Sequence, residues 1–357
     1  MSDELKIWKE DAINLLKQLI ATPSFSKEEE KTASLIESFL LQHGVEAKKH
    51  LNNVWATNKN FDPAKPTILL NSHHDTVKPN AQYTRDPFKA DIENGKLYGL
   101  GSNDAGGALV ALIGCFLYFY TEKNLKYNFV LAATAEEEIS GNNGIECLLP
   151  LLPNIDSAIV GEPTQIQMAI AERGLMVLDC IAKGKAGHAA RNEGENAIDK
   201  AVTDIEWFQH FQFEQKSELL GPVKMTVTVI ETENKAHNIV PAECHFVVDV
   251  RVNELYSFEE VLAIIQQNVQ SEIKARSTRL KSSMIPLDHP LVKAGLELGR
   301  NYYGSPTSSD KALMPFPALK LGPGDSARSH TADEFIFVEE IYHGIELYIQ
   351  LLTKVVI

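Results

Sequence analysis

Three short apolar segments, separated by helical patterns, constrain the fold of this chain more than any other feature. Residues 67–71, 128–134 and 158–160 are mostly apolar, without the alternation that a half-exposed strand would show. Continuous apolar strands of this kind are typical of sheets that are covered on both faces. The sequence therefore predicts an α/β fold in which a mixed, largely parallel sheet is covered by helices.

Helical periodicity supports this interpretation on either side of the first strand. Apolar residues recur at helical spacing from Leu5 to Leu19, which predicts an amphipathic helix at the start of the chain. A second helix is expected to begin at Ser26, whose hydroxyl would cap it while Glu29 completes a capping box. A third helix, apolar throughout, is expected from about Gly107.

The pattern changes near residue 168, where apolar and polar residues begin to alternate. Residues 223–229 and 246–250 have the period of two that is typical of half-solvated strands. Helices are expected over residues 197–211 and 258–276, the second with Ser257 and Glu260 as a capping box. We interpret residues 168–285 as a smaller α+β domain inserted in a larger domain that comprises residues 1–167 and 286–357.

Composition excludes several classes of protein. A chain of 357 residues is long enough for two domains, and its net charge of −14 argues against nucleic-acid binding. The four cysteines are scattered without a C-x-x-C pair, which predicts reduced residues rather than disulfides or a zinc ribbon. The N-terminus lacks the features of a signal peptide, and the apolar run from Ala108 to Tyr120 is too short to cross a bilayer. We therefore expect a cytoplasmic protein without a membrane partner.

Acidic and histidine residues follow the apolar strands, where open α/β sheets usually build their sites. Each has an ordinary explanation taken alone: Asp104 could cap a helix, and Glu136–Glu138 could be a solvated acidic loop. Together they predict a metal site, because carboxylates mixed with two imidazoles suit zinc, with cobalt or manganese as alternatives. The candidate residues are His73, Asp75, Asp104, Glu137, Glu138, Glu162 and His330.

The candidate residues stand in five motifs along the chain, which are residues 69–77, 99–107, 134–141, 159–164 and 322–334. In this order the motifs resemble those of the two-zinc amidohydrolases, a family that includes acetylornithine deacetylase, succinyl-diaminopimelate desuccinylase, aminoacylases and glutamate carboxypeptidases. The resemblance covers nearly the whole chain and implies two Zn²⁺ ions per subunit, which Co²⁺ or Mn²⁺ could replace. It implies that Asp75 orients His73 and that Glu137 is the general base. The metal ligands that it implies are His73, Asp104, Glu138, Glu162 and His330, with Asp104 bridging the two ions.

The inserted domain resembles the lid, or dimerisation, domain of the same family. The resemblance implies that His188 stabilises the oxyanion in the active site of a partner subunit, and that Asn238 and Arg251 contact substrate. It therefore implies a homodimer. Three positions depart from the commonest family pattern, and none removes a ligand or the base; they are Ser72, Gly106 and Glu136.

The resemblance implies hydrolysis of the amide bond in a small N-acyl amino acid. N-acetylornithine, in arginine biosynthesis, is the first expectation, with N-acetylcitrulline beside it. The alternatives are desuccinylation of an N-succinyl amino acid of the diaminopimelate or ornithine type, and dipeptidase or aminoacylase activity. A succinyl group would need a further cationic partner, for which the candidates are Arg173, Arg191, Lys311 and Arg328. A catalytically silent metal- or peptide-binding relative is the rival from another class, which the retained Glu137 disfavours.

Overall fold

The computed structural model describes residues 3–191 and 193–357. The chain divides into two compact units. The first unit contains the residues up to Ile170 together with Met284–Tyr303 and Ser309–Ile357, and the second contains Ala171–Ser283 and Gly304–Ser308. The role of the second unit as a lid or dimerisation domain stays a prediction.

Eight α-helices and eighteen strands are assigned in the described residues, besides six short 3-10 or π-helical turns. The helices are α1 (Asp3–Ile20), α2 (Glu30–Gln42), α3 (Gly107–Phe119), α4 (Ile145–Leu148), α5 (Ala197–His210), α6 (Phe258–Asn268), α7 (Pro290–Glu297) and α8 (Val338–Val356). The strands are β1 (Lys48–His50), β2 (Asn53–Thr57), β3 (Thr67–His73), β4 (Ile92–Glu93), β5 (Lys96–Tyr98), β6 (Asn128–Thr134), β7 (Ser157–Val160), β8 (Met168–Glu172), β9 (Gly174–Lys183), β10 (Gly187–His188), β11 (Lys224–Glu231), β12 (Ile239–Val240), β13 (Glu243–Val252), β14 (Glu272–Ala275), β15 (Ser283–Met284), β16 (Tyr302–Ser305), β17 (Ala318–Lys320) and β18 (Phe335–Phe337).

The first unit is built on a mixed sheet with the strand order β1-β2-β6-β3-β7-β17-β8-β15. Strands β6, β3, β7 and β17 run parallel to one another, whereas β2 and β8 pair antiparallel at either side. Every residue of β3, β6 and β7 is buried, as expected for strands that are covered on both faces. The predicted α/β class with a largely parallel, helix-covered sheet is confirmed.

Helix α3 covers one face of this sheet and is buried on almost all of its own surface. On the opposite face, Ile145 and Leu148 of α4 pack against apolar side chains of β3 and β6. The stretch Ser102–Phe119 is long and apolar enough to cross a membrane by length and composition, but 89% of it is buried inside the protein. Its apolar character is therefore explained by packing in the core.

The second unit contains a four-stranded antiparallel sheet with the order β11-β13-β9-β14. Strand β13 alternates buried and half-buried residues along nearly its whole length, which confirms the period-two prediction for residues 246–250, and β9 has the same pattern. In β11 exposed and half-buried residues alternate only as far as Val227, so the prediction for residues 223–229 is confirmed in part. Helices α5 and α6 supply buried residues to the same core. The core residues are Met176, Leu178, Cys180, Ala182, Ala197, Ala201, Phe208, Phe213, Val223, Cys244, Phe246, Val248, Val250, Val252, Phe258, Val261 and Ile265.

Two helix boundaries differ from the sequence-based expectation. The helix that begins after Ser257 has the predicted capping box, but it ends at Asn268 instead of Arg276. The residues beyond it form β14, which gains a ladder of hydrogen bonds with β9. Helix α2 begins at Glu30 instead of Ser26, because the Ser26 hydroxyl donates to Asp75 and is not available as a cap.

Candidate metal centre

His73 is the last residue of β3, and the fully buried strand delivers its imidazole to the carboxyl edge of the sheet. Its Nδ1 lies 3.0 Å from the backbone oxygen of Asp75 and 3.4 Å from the Asp75 carboxylate. Its Nε2 lies 3.3 Å from Asp104 Oδ1 and 3.9 Å from oxygens of Glu137 and Glu162. Nδ1 is thus held in place by Asp75, while Nε2 faces three carboxylates. Metal-bound histidines are typically oriented in this way.

Asp75 also fixes the acidic turn that follows β6. Its carboxylate accepts the backbone N–H of Glu137 at 3.0 Å and that of Glu138 at 3.2 Å, and it accepts the Ser26 hydroxyl at 2.7 Å. Burial opposes the charged form of Asp75, but the interaction with His73 and the hydrogen bond from Ser26 outweigh it and lower the pKa of Asp75. Asp75 therefore ties the end of β3 to the acids that follow β6.

The three adjacent glutamates point to different places. Glu136 has a left-handed backbone with φ of 55°, and its carboxylate turns to the backbone and side-chain amides of Asn143. The Glu138 carboxylate lies 2.9 Å from His330 Nε2, and that of Glu137 faces His73. The backbone geometry therefore relieves the repulsion that three neighbouring acids would otherwise suffer.

Asp104 follows a tight turn, and His330 follows a loop near the C-terminus. Gly101, with φ of 73°, occupies a conformation that favours glycine, and a Cβ there would lie 2.5 Å from Thr76 Cγ2. Asp104 Oδ2 lies 3.7 Å from His330 Nε2, so these two segments meet at the carboxylate. The His330 side chain is half exposed, in contrast to the buried His73.

Two overlapping groups of donor atoms lie close enough to hold cations. His73, Asp104 and Glu138 form one group, and His73, Glu137 and Glu162 form the other, with the donor atoms of each group within 4.8 Å of one another. Asp75 and His330 belong to neither group, but Asp75 contacts His73, and His330 contacts Glu138 and Asp104. The structure therefore brings all seven sequence-predicted residues of the first unit close together. Four carboxylates and two imidazoles on separate segments provide oxygen and nitrogen donors that suit a divalent cation. A cation there would also offset the repulsion between the carboxylates.

The titration of these groups follows from their crowding. Burial opposes a charged His73, but hydrogen bonds with Asp104 and Asp75 outweigh it, and the pKa of His73 is raised. The hydrogen bond with Glu138 raises the pKa of His330 to about 9. Burial raises the pKa of Glu137 well above its usual range, and the charges of Glu162 and Asp310 add to this effect.

Two further carboxylates back the site, and sequence reasoning did not assign them a role. Asp310 is buried and accepts the hydroxyl of Thr134 at 2.7 Å, and burial raises its pKa to about 6. Its Ser-Ser-Asp-Lys context is that of an ordinary turn, so no local signal marks it. Glu334 is buried beside Asp104, and burial raises its pKa to about 8. Its position four residues after His330 is the one signal that could have identified it.

The departures from the commonest family pattern have local explanations. The Ser72 hydroxyl donates to the backbone oxygen of Gly161 at 2.7 Å and so joins β3 to the segment after β7. Gly106 has no room for a side chain, since a Cβ would lie 2.4 Å from the Gly101 oxygen. Glu136 interacts with Asn143, away from the metal-binding groups.

The predicted site residues of the second unit are His188, Asn238 and Arg251, and each contacts other residues of that unit. His188 is exposed in β10 and pairs with Ile239 of β12, while the backbone oxygen of Asn238 accepts the N–H of Ala189. His188 and Asn238 therefore lie close together at the antiparallel pair of β10 and β12. Arg251 forms a two-pronged ion pair with Asp249, at 2.7 and 3.0 Å. The roles of these three residues toward substrate stay predictions.

Comparison with known proteins identifies the class. Residues 69–354 match the model of peptidase family M20/M25/M40, and the chain belongs to this family of metal-dependent hydrolases. It is 29% identical to a succinyl-diaminopimelate desuccinylase of Cereibacter sphaeroides (strain ATCC 17029 / ATH 2.4.9) over 356 residues, 94% of this chain and 93% of the relative. It is 25% identical to succinyl-diaminopimelate desuccinylase 2 of Ruegeria sp. (strain TM1040) over 280 residues, 73% of this chain and 70% of the relative.

Solved structures show the same fold. The YXEP protein of Bacillus subtilis, described as a dinuclear metal-binding peptidase of family M20, superimposes with a TM-score of 0.73 and 16% identity. The match covers 98% of each chain. The family predicted from the motifs is confirmed, and so is the general class of metal-dependent amidohydrolase.

Proposed function

We propose that this protein hydrolyses the amide bond of an N-succinyl amino acid, in preference to N-acetylornithine or N-acetylcitrulline. The observation that carries the amidohydrolase assignment is the convergence of His73, Asp104, Glu138, Glu162 and His330, with Glu137 beside them. The desuccinylase names of the curated relatives favour the succinyl substrate, which was the alternative at the sequence level. N-acetylornithine deacetylation is the second candidate.

In this proposal, the five converging residues hold two divalent cations, with Zn²⁺ as the first choice and Co²⁺ or Mn²⁺ as substitutes. When bound, such ions polarise the amide carbonyl and lower the pKa of an attacking water. Asp75 keeps Nδ1 of His73 occupied, so that Nε2 is presented to the site. The close approach of Glu138 to His330, at 2.9 Å, supports a shared role for these two side chains.

Glu137 is the proposed general base. Its carboxylate takes a proton as water attacks the amide carbon, and it returns that proton to the nitrogen as the C–N bond breaks. The products are a free carboxylate and a free amine. Burial raises the pKa of Glu137 above its usual range, which makes this carboxylate a better proton acceptor than an exposed one. His188 is proposed to donate a hydrogen bond to the oxyanion that develops on the carbonyl.

A succinyl substrate carries a second carboxylate, which needs a cationic partner. Arg328 is engaged in a two-pronged ion pair with Glu340, at 2.7 and 3.0 Å. Arg173 donates to the Leu220 carbonyl oxygen, and Lys311 is buried with its ammonium 3.5 Å from the Ala169 oxygen. Arg191 is exposed, three residues from His188, and we take it as the first candidate.

A substrate panel tests the function. The protein loaded with Zn²⁺, Co²⁺ or Mn²⁺ is assayed on N-succinyl-diaminopimelate, N-succinylornithine, N-acetylornithine, N-acetylcitrulline and dipeptides. We expect the highest kcat/KM on a succinyl substrate, and Arg191→Ala is expected to lower kcat/KM for succinyl substrates more than for acetyl substrates. Two bound metal ions without turnover on any compound would refute the enzyme assignment and favour a silent binding protein.

A homodimer through the second unit is also proposed. Strand β11 is an edge strand of the four-stranded sheet, and Val229 and Ile230 are exposed on it. An edge with exposed apolar residues is a common site of association between chains. Sedimentation measurements test this proposal, and a monomer with full activity would exclude a role for His188 in a partner's site.

A further inference from the structure

The buried carboxylate of Glu334 makes its hydrogen bonds with the backbone of the turn that carries Asp104. Its Oε2 accepts the N–H of Gly101 at 3.0 Å. Its Oε1 accepts the N–H groups of Asn103 and Asp104 at 2.8 and 2.9 Å. The Glu334 backbone oxygen accepts a fourth N–H, that of Gly99, at 3.0 Å. One residue thus accepts four N–H groups of the segment from Gly99 to Asp104.

Asn103 joins the same two segments, and here a side chain of the Asp104 turn contacts the backbone of the His330 loop. Its side-chain oxygen accepts the N–H of Asp325 at 2.9 Å, and its side-chain nitrogen donates to the Asp325 oxygen at 3.0 Å. These contacts and those of Glu334 lie at the two ends of the loop that contains His330. The loop of His330 is therefore held to the turn of Asp104 by hydrogen bonds at both of its ends, at Asp325 and at Glu334. The metal-binding side chain of His330 lies between these two points.

The location of a carboxylate at this point needs a reason, because it stands beside another acid. Glu334 is buried next to Asp104, a second acid, and its carboxylate accepts three N–H groups of the turn. A glutamine or an apolar residue would avoid the repulsion between the two acids, but it could not accept hydrogen bonds from N–H groups on both of its terminal atoms. The carboxylate is the side chain that satisfies all three donors at once.

We infer that Glu334 is a positioning residue that fixes the Gly101–Asp104 backbone, so that Asp104 faces His73 and His330 before any cation arrives. This inference rests on the proposed metal centre. Preorganised ligands need no rearrangement when they bind a cation, and partners of this kind typically contribute about 10- to 100-fold in metal affinity. Glu334 does not touch substrate in this inference and acts through Asp104.

The matched control is the neighbouring residue, Asp333. Its carboxylate accepts the N–H groups of Thr84 and Arg85, both at 2.9 Å, and the Thr84 hydroxyl at 2.5 Å. Asp333 therefore holds the same loop to a different segment and has no hydrogen bond to the Asp104 turn. Asparagine tolerates its left-handed backbone, with φ of 53°, so that Asp333→Asn leaves the local conformation in place.

The test measures cation binding to the full-length, metal-free protein. Zn²⁺ is titrated in competition with a chromophoric chelator, and the visible absorption of the Co²⁺ form reports the ligand geometry. We expect Glu334→Gln to weaken Zn²⁺ binding by about 10- to 100-fold and to alter the Co²⁺ spectrum. Asp333→Asn is expected to change the affinity less than about twofold and to leave the spectrum as in the wild type.

Thermal unfolding of the same metal-free samples separates positioning from packing. A Glu334→Gln protein that has a lower Tm but an unchanged Zn²⁺ affinity and Co²⁺ spectrum would overturn the inference. If Glu334→Gln does not fold, Glu334→Asp keeps the charge on a shorter side chain and is judged by the same two readouts. A wild-type protein that binds no cation would refute the proposed metal centre itself, which is a distinct outcome.

Discussion

Replacing Glu137 with glutamine keeps the volume of the side chain but removes its capacity to accept a proton. The neighbours of this side chain are His73, whose Nε2 lies 3.9 Å away, and Glu162. Since Glu137 is grouped with those two residues as a set of donor atoms, geometry alone leaves two roles open for it. It is either the base of the reaction or a ligand, and the substitution distinguishes the two.

The expected size of the effect follows from its surroundings. The side chain is 14% exposed, so bulk water has little access to replace it as a proton acceptor. Loss of a positioned general base costs about 100- to 10,000-fold in rate. We expect a fall in kcat of about 1000-fold, equivalent to about 4 kcal/mol in the activation free energy, with two metal ions retained.

The assay measures kcat and bound metal on the same preparation. Glu136→Gln is the matched control, because the carboxylate of Glu136 interacts with Asn143 away from the donor atoms, and its kcat is expected to stay near that of the wild type. A Glu137→Gln protein with full metal content and a kcat within about tenfold of the wild type would refute the assignment of the base. Loss of a metal ion would instead identify Glu137 as a ligand.

Three further predictions concern the metal centre. Asp75→Asn should weaken Zn²⁺ binding by about 10- to 100-fold, since an amide is a poorer hydrogen-bond partner for His73 and for the N–H groups of Glu137 and Glu138. A Zn²⁺ affinity equal to that of the wild type in a competition titration would contradict this. Metal binding should weaken as pH falls from about 9 toward 6, because the hydrogen bond with Glu138 raises the pKa of His330 to about 9 and the imidazole must lose its proton to bind. Calorimetry in buffers of different ionisation enthalpy measures the released protons, and binding without proton release would exclude this competition. Removal of the ions with a chelator should lower the Tm, since a ligand that binds only the folded state stabilises it, and a Tm insensitive to chelation would argue against a preformed site.

Much of the fold could be predicted because burial leaves a direct pattern in the sequence. Strand β6 is apolar from Phe129 to Ala133 and helix α3 along its whole length, and both occur where the pattern indicates. The predicted end of α6, at residue 276, is wrong because the apolar periodicity of the helix continues into residues that pair with β9. Pairing with a distant strand is a tertiary effect, and local periodicity does not report it.

The candidate site could be predicted to the extent that its residues end apolar strands or stand in ordered motifs. His73 and Glu162 have such contexts, and the structure brings them together. The local sequence at Ser26 predicts a helix cap. The Ser26 hydroxyl instead donates to Asp75, which lies forty-nine residues away along the chain. Asp310 gave no signal, since burial converts an ordinary turn aspartate into a group whose pKa is about 6. These features depend on contacts between segments that are far apart in the chain, and local sequence patterns do not predict such contacts.

The position of β17 in the sheet has a consequence for synthesis on the ribosome. This strand pairs with β7 on one side and β8 on the other, yet residues 173–317 lie between β8 and β17 in the chain. The nascent polypeptide therefore cannot complete its central sheet until Lys320 has been translated, whereas Ala171–Ser283, most of the second unit, is translated earlier. His330 emerges later still. A chain that has been translated only as far as β17 thus carries the acidic residues of the centre without their second imidazole, and the centre cannot be completed before His330 is translated.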